Sequence, residues 1–345
     1  MGLKTYVIRR LLLLIPTLIG ITLLIFAIMQ LLPVNIRAMM YITDVKELDD
    51  LPKLIEEHGL AQPVYIQYFR WLKEVFVDHT FGVDQFNQPV FEAIMARLPA
   101  TVELAIFSIP PIIIIGIVFG TTAAVHKDKA FDHTTRLLAI MGTSLPSFWL
   151  GIVLLSIFFA GLGWFPPQRW GSNVNLYVSN PSSSWKWYTH FITIDGLLNG
   201  RPDITLDGLR HLVLPVTVLT LLNIALIMRV MRSSMLESLS KDYITAAKAK
   251  GLTKKEVINK HARKNALIPV VTLSGLLAAG LLTGVVITET VFDLKGVGAY
   301  AAESAAIPCI PVVLAYALLS GFVFVMANLI VDLLYAYLDP RIRLG

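Results

Sequence analysis

This sequence is short of charge. Only 15% of its 345 residues are Asp, Glu, Lys or Arg, against about 25% in soluble domains. A soluble surface cannot be covered from that stock. Cysteine is scarcer still: the single Cys309 forbids an intramolecular disulfide and has no neighbouring Cys/His set with zinc-ligand spacing. It reads as a small apolar residue in a helix. Catalytic signatures are missing too. No His-Glu-x-x-His, Gly-x-Ser-x-Gly or Cys/His pair occurs, and the seven histidines are scattered, which leaves an intramembrane enzyme as the weaker alternative. Without a Gly-x-x-x-x-Gly-Lys-Ser/Thr loop to cradle phosphates, the chain is not expected to hydrolyse ATP. No metal site and no catalytic residue is expected.

Hydrocarbon is abundant instead. Hydrophobic residues make up 55% and the mean hydropathy is +0.67. Apolar runs lie near 11 to 33, 99 to 125, 137 to 161, 211 to 228, 267 to 292 and 308 to 337, each close to or beyond the roughly 20 residues that cross a bilayer. The first follows Lys4, Arg9 and Arg10 as a signal peptide would, but it exceeds the roughly 7 to 15 apolar residues of a signal core and reads as a retained helix. The expected fold is all-α and polytopic, with about six transmembrane helices. Pro110, Pro111, Pro146 and Pro215 fall within spans, where neighbouring helices satisfy the freed backbone groups. Gly116 with Gly120 and Gly280 with Gly284 have helix-packing spacing.

Charge between the runs sets the orientation. With the N-terminus inside, the inner segments (1 to 10, 126 to 136, 229 to 266, 338 to 345) carry 18 Lys/Arg against 6 Asp/Glu. The outer segments (34 to 98, 162 to 210, 293 to 307) carry 11 against 15. The positive-inside rule then puts both termini in the cytoplasm. The net charge of +5 is mostly topology, and no nucleic-acid partner is needed to explain it. No Lys or Arg falls inside a span, and the acids there are Glu103, Glu289 and Asp332, each near a span end. Ionisable groups at membrane depth are candidates for a translocation path or gate, although near an interface they are often solvated or cap a neighbouring helix.

The outer segments are not featureless. From Pro63 onward, Tyr65, Tyr68, Phe69, Leu72, Val75 and Phe76 recur at helical spacing and predict an amphipathic helix lying on the membrane or on the protein's own outer face. The second outer segment mixes Asn173, Asn175, Asn180 and Ser182 to Ser184 with Trp185, Trp187 and Tyr188, aromatics suited to the water–lipid boundary.

Residues 229 to 266 predict two short helices. Asp242 is placed as the N-cap of the first, which runs through Lys250; Gly251 ends it in the left-handed conformation with Leu252 supplying the apolar contact. Thr253-Lys254-Lys255-Glu256 is a capping box for the second, which runs toward Pro269. Ala246 and Ala247 leave a slim surface that another protein's groove could accept. A basic surface hairpin near anionic lipid is the plainer alternative.

The stretch from Asp242 to Leu252 (Asp-Tyr-Ile-Thr-Ala-Ala-Lys-Ala-Lys-Gly-Leu), followed by His261-Ala262-Arg263-Lys264-Asn265-Ala266-Leu267-Ile268-Pro269, resembles the coupling motif of binding-protein-dependent ABC permeases, in the dipeptide, oligopeptide and nickel branch. Further similarity lies in Arg9-Arg10 through Pro16-Thr17, Gly142 to Gly151, Glu289-Thr290-Val291-Phe292 with Gly296 and Gly298, and Asp332 through Asp339-Pro340-Arg341, so it covers nearly the whole chain. There are departures. Thr245 stands where the general motif has Glu, Pro33-Val34-Asn35-Ile36 replaces Pro-Gly-Asp-Pro, and residues 170 to 207 exceed what the branch requires.

The resemblance implies a type I ABC importer permease fold in a prokaryotic plasma (inner) membrane. It divides the chain into 1–33, the N-terminal segment and first helix; 34–98, an external segment; and 99–345, a five-helix core with an external loop near 162–210 and the coupling segment 229–266. It implies contact with an ATPase through Tyr243, Thr245, Ala246, Ala247, Lys250, Gly251 and Leu252. The implied partners are a homologous second permease chain, two ATPase domains or subunits that bind ATP and Mg, an external solute-binding protein, and membrane lipid. No cofactor is expected on this chain. Peptides are the expected cargo, with nickel or oligosaccharides as alternatives in the same architecture.

Overall fold

The structure, a computed structural model, describes residues 3–42, 51–307 and 309–338. Helices account for its regular structure apart from one antiparallel bridge between Val83 and Pro89. In chain order, α1 (Leu3–Gln30) is followed by α2 (Val34–Met39), α3 (Leu51–Glu57) and α4 (Val64–Phe76). Next come α5 (Val90–Val125), α6 (Ala130–Ser144) and α7 (Ser147–Leu154), the last continued by a π-helical stretch, Leu155–Gly161. The long loop that follows carries α8 (Ser172–Val178) and α9 (Ile192–Leu198) before α10 (Pro202–Leu239). Then α11 (Asp242–Ala249), α12 (Lys254–Glu256), a π-helical stretch Val257–Ala262 and α13 (Arg263–Leu282) lead to α14 (Val286–Val291), α15 (Val297–Ala306) and α16 (Ile310–Leu338).

Five helical segments within the described residues are long and apolar enough to cross a membrane: α1, α5, α10, the run Lys254–Leu282 and α16. The stretch read from the sequence as one run from 137 to 161 is a pair, α6 and the helix Ser147–Gly161, bent by 101°, which makes a sixth candidate span when the pair is counted as one. The bend has a local cause. Pro146 lacks an N–H and pushes the residue before it out of the helical region; Leu145 accordingly sits at φ −81°, ψ 128°. The run placed at 211 to 228 is the middle of a 38-residue helix, about 57 Å long at 1.5 Å per residue. That is longer than the hydrocarbon layer of a bilayer, about 30 Å.

Burial from water does not drive helices together inside lipid; close packing does. The α5–α10 pair is the centre of that packing. A Cβ on Gly116 would lie 2.6 Å from the Ile227 side chain, and one on Gly120 2.6 Å from the Met228 carbonyl oxygen, so glycine at both positions lets the backbones meet. Around this seam Leu104, Ile112, Leu219, Met231 and Met235 form the main buried cluster. The second glycine pair divides: Gly280 faces open space, whereas Gly284, at φ +112° in the turn between α13 and α14, lies against the Gly298 backbone, where a Cβ would come within 2.7 Å of Gly298 Cα and N.

Outside the bundle, α4 packs on α1 through Trp71 and Val75 against Ile25, Phe26 and Met29, while Tyr65, Phe69 and Phe76 stay exposed. Buried Gln67 is held by Arg37 Nη1 (2.7 Å) and Gln30 Nε2 (2.9 Å), both donating to its Oε1. The helix expected from Pro63 onward is thus seated on the protein and still presents aromatics outward.

Candidate functional site

After α10, Ser240 turns the chain and Lys241, in extended conformation, takes the N-cap position of α11 without a side-chain bond. Asp242, expected there, is instead the first residue of the helix, where its charge opposes the partial positive charge of the N-terminus. The other end matches expectation. Gly251 adopts φ +76°, its N–H donates to Lys248 O at 3.0 Å, and the Leu252 N–H reaches back to Ala247 O at 3.4 Å. These two bonds close the last carbonyls of the helix. A Cβ at Gly251 would meet nothing within 4 Å, so the backbone angle is the constraint, not space.

Thr253 then starts α12 with the reciprocal bonds of a capping box: Glu256 N–H to Thr253 Oγ1 at 3.3 Å, and Thr253 N–H to Glu256 Oε2 at 3.2 Å. No loop intervenes between this cap and α13. Helical structure runs without interruption from Lys254 to Leu282, passing through the π-helical stretch and over Pro269.

The residues expected to meet a partner divide into two groups. Tyr243, Thr245, Ala246, Lys250 and Gly251 are exposed. Ala247, expected on the contact face, is 5% exposed and shares the chain's own core with Ile244. Positions three apart lie on one helix face, and this face is turned against the cluster containing Met235 and Val257. Leu252 is half-buried on the same cluster. The inward pair seats the hairpin; the outward five form its free surface.

At the opposite end of the bundle, the buried acids are fully engaged. Glu103 Oε1 accepts from the Thr193 N–H (3.0 Å) and hydroxyl (2.6 Å), and Oε2 accepts from Arg169 Nη2 (3.0 Å) and Nε (3.2 Å). Arg169 Nη2 also donates to the His190 carbonyl at 2.6 Å. Glu103 thus clamps α5 to the loop that carries α8 and α9. Glu289 Oε1 accepts from the Thr101 hydroxyl at 2.8 Å, and its Oε2 accepts from the Ala299 N–H at 2.8 Å. A side chain on Gly296 would overlap the Glu289 carboxyl group, and one on Gly298 would approach Oε2 to 3.0 Å. That explains why the Glu289 motif comes with two glycines.

Neither carboxylate faces open space: Glu103 and Glu289 are 2% and 1% exposed. Asp332 is on α16, and its side chain lies outside the described residues, as do Asp339, Pro340 and Arg341. Sequence reading missed Thr101, Arg169 and Thr193, because nothing in local spacing marks a hydroxyl or guanidinium whose partner is tens of residues away. Nearby, Tyr300 donates to Asp84 Oδ2 at 2.8 Å under the Arg97 guanidinium; burial and the carboxylate raise its phenol well above the usual tyrosine range. Among the described residues no group of three or more His, Cys, Asp or Glu is arranged to hold a metal.

Residues 116–344 match the family model described as binding-protein-dependent transport system inner membrane component, and residues 3–105 match its N-terminal companion. The chain belongs to this family. It is 39% identical to the dipeptide transport system permease protein of Alkalihalophilus pseudofirmus, over 98% of this chain and 99% of the relative. Identity to the dipeptide transport system permease protein of Escherichia coli is 37%, over 98% of each. The oligopeptide transport system permease protein of Bacillus subtilis is 34% identical, over 98% of this chain and 99% of its own length. The chain is therefore a multi-pass inner-membrane permease subunit of an ABC importer, not itself catalytic and with no cofactor of its own. Binding-protein-dependent transport makes ATPase and solute-binding subunits its partners.

Proposed function

We propose that this permease imports short peptides delivered by an external binding protein. The observation that carries the reading is full-length similarity, at 34 to 39% identity, to permeases named for dipeptide and oligopeptide transport. Six crossings enclose half a path, so a second, homologous permease chain completes it, and two ATPase domains or subunits drive the pair. Both termini are cytoplasmic, following the excess of Lys and Arg in the inner segments. The chain divides as the sequence suggests, with 1–33 and 34–98 preceding the five-helix core 99–345.

In this reading the exposed surface of Tyr243, Thr245, Ala246, Lys250 and Gly251 meets the ATPase. Ala247 and Leu252 support it from behind. The continuous helix Lys254–Leu282 carries the displacement into the membrane. Glu289 and Glu103 act at the outer end by holding the elements that close it, and Asp332 stands with them as a candidate on α16.

The test is reconstitution of the complete transporter with its binding protein in liposomes. Di- and tripeptides should stimulate ATP hydrolysis and accumulate inside. Stimulation by nickel or an oligosaccharide alone would replace the cargo and leave the architecture standing.

A further inference from the structure

Where α5 hands over to α6, a cavity of about 540 Å³ opens between the connecting turn, α6 and α10. Four cations line it: Lys127, Arg136, Arg229 and Arg232. Two of them are fixed by one carboxylate. Asp132, with no exposed surface, accepts from Arg232 Nε at 2.5 Å and Nη2 at 2.8 Å, and from Arg136 Nη2 at 2.7 Å. Arg136 also reaches the exposed carboxylate of Asp128 at 3.2 Å. Lys127 and Arg229 are exposed, and among the described residues neither has a carboxylate within 4.0 Å. Four positive charges thus converge against two negative ones, which leaves the cavity short of an anion.

The rest of the lining is mixed, with Thr135 and Ser233 beside three apolar residues. Ala139, Met228 and Leu236 form part of its wall. Beside it α6 turns Leu137, Leu138, Ile140 and Met141 outward, each about half or more exposed. A small soluble anion would use the cations and gain nothing from this hydrocarbon. An amphiphile would use both.

We propose that the cavity binds the phosphate headgroup of an anionic membrane lipid, with an acyl chain laid along the exposed face of α6. The place suits that occupant, since α5 ends and α6 begins there, at the level where a spanning bundle meets headgroups, and basic pockets between membrane helices recognise such lipids. Arg136 and Arg232 are preorganised by Asp132 and receive the phosphate without rearranging. Lys127 and Arg229 supply the uncompensated charge.

The full-length chain, purified in detergent and stripped of lipid, tests this by native mass spectrometry with phosphatidylglycerol, phosphatidylcholine and inorganic phosphate as probes. Phosphatidylglycerol should bind at least tenfold more tightly than phosphatidylcholine. Lys127→Gln with Arg229→Gln should weaken it by roughly 30-fold, from the loss of two interfacial cations. That double variant leaves the Asp132 pairs intact, so its melting temperature should match the parent. Equal retention of the two lipids, or unchanged binding by the variant, would overturn the proposal. Displacement of phosphatidylglycerol by millimolar inorganic phosphate would also overturn it, reassigning the cavity to a soluble anion.

Discussion

The Thr101 hydroxyl donates to the Glu289 carboxylate across 2.8 Å, joining positions 188 residues apart. The same hydroxyl oxygen accepts the Val297 N–H at 2.9 Å. One side chain on α5 therefore pins both short helices that lie between α13 and α16. Glu289→Ala would leave that hydroxyl and the Ala299 N–H without their partner, and an unsatisfied buried group costs about 1–3 kcal/mol. A clear drop in the detergent melting temperature is expected, with Thr101→Val producing a smaller one.

The two kinds of glycine give a sharper contrast. Gly296→Ala should destabilise the protein strongly, because its Cβ collides with the Glu289 carboxyl group, whereas Gly280→Ala has free space around it and should melt like the parent or slightly higher, alanine being the better helix former by about 1 kcal/mol. Equal melting temperatures for the two variants would contradict the packing described around Glu289.

The Glu103–Arg169 pair ties the loop carrying α8 and α9 to α5. Arg169→Met removes one partner of a nearly buried ion pair, a loss of about 3–5 kcal/mol in such settings, and should make residues 170–200 the first site of proteolytic cutting. Adding Glu103→Gln should recover part of the loss, since the uncompensated charge is then gone. Cleavage kinetics of the two variants measure the difference.

For the hairpin, the burial of Ala247 changes which substitution is informative. Ala247→Asp would place a charge in the chain's own core and lower the amount of folded protein. Ala246→Asp alters only the exposed surface. On the proposed coupling role, Ala246→Asp should reach the membrane at normal levels and melt normally, yet lose ATPase co-purification and uptake. Gly251→Val, opposed to φ +76°, should lose both with a modest stability cost of about 1–2 kcal/mol. Normal uptake by Ala246→Asp would remove this surface from the mechanism.

Orientation is testable through the lone thiol. In a Cys309→Ser background, Ser182→Cys in the external loop and Ser240→Cys at the end of α10 are both exposed. An impermeant maleimide added to intact cells should label the first, and label the second only after the membrane is opened. Labelling of both from one side would refute the orientation.

Long apolar runs and backbone punctuation were legible in the sequence because both are local. A glycine before Leu252 and a threonine three residues before Glu256 specify their bonds within a single turn, and the structure contains those bonds. Facing is harder to read. Ala246 and Ala247 are chemically identical neighbours, and only the position of the Met235 cluster decides which one is buried. The bend at Pro146 was also hidden, since a proline within an apolar run can be absorbed, as Pro110 and Pro111 are in α5. Glu103 and Glu289 stood out as acids in hydrocarbon, but their partners, Arg169, Thr193 and Thr101, are brought near by tertiary structure alone. A span end therefore shows where an acid sits and not whether it is engaged.

The uninterrupted helix from Lys254 to Leu282 fixes an angular phase between the hairpin and the membrane face of α13. Each residue added or removed along it would rotate one end against the other by about 100°, while the same change in the external loop would alter only its length. The six-residue π-helical stretch Val257–Ala262 lies at the root of this rod, where wider turns take up a fractional mismatch in winding. The chain thus counts residues along this rod as a screw counts threads, and length variants among its relatives are expected to collect in the loop between Ser179 and His190 and to be absent between Glu256 and Leu282.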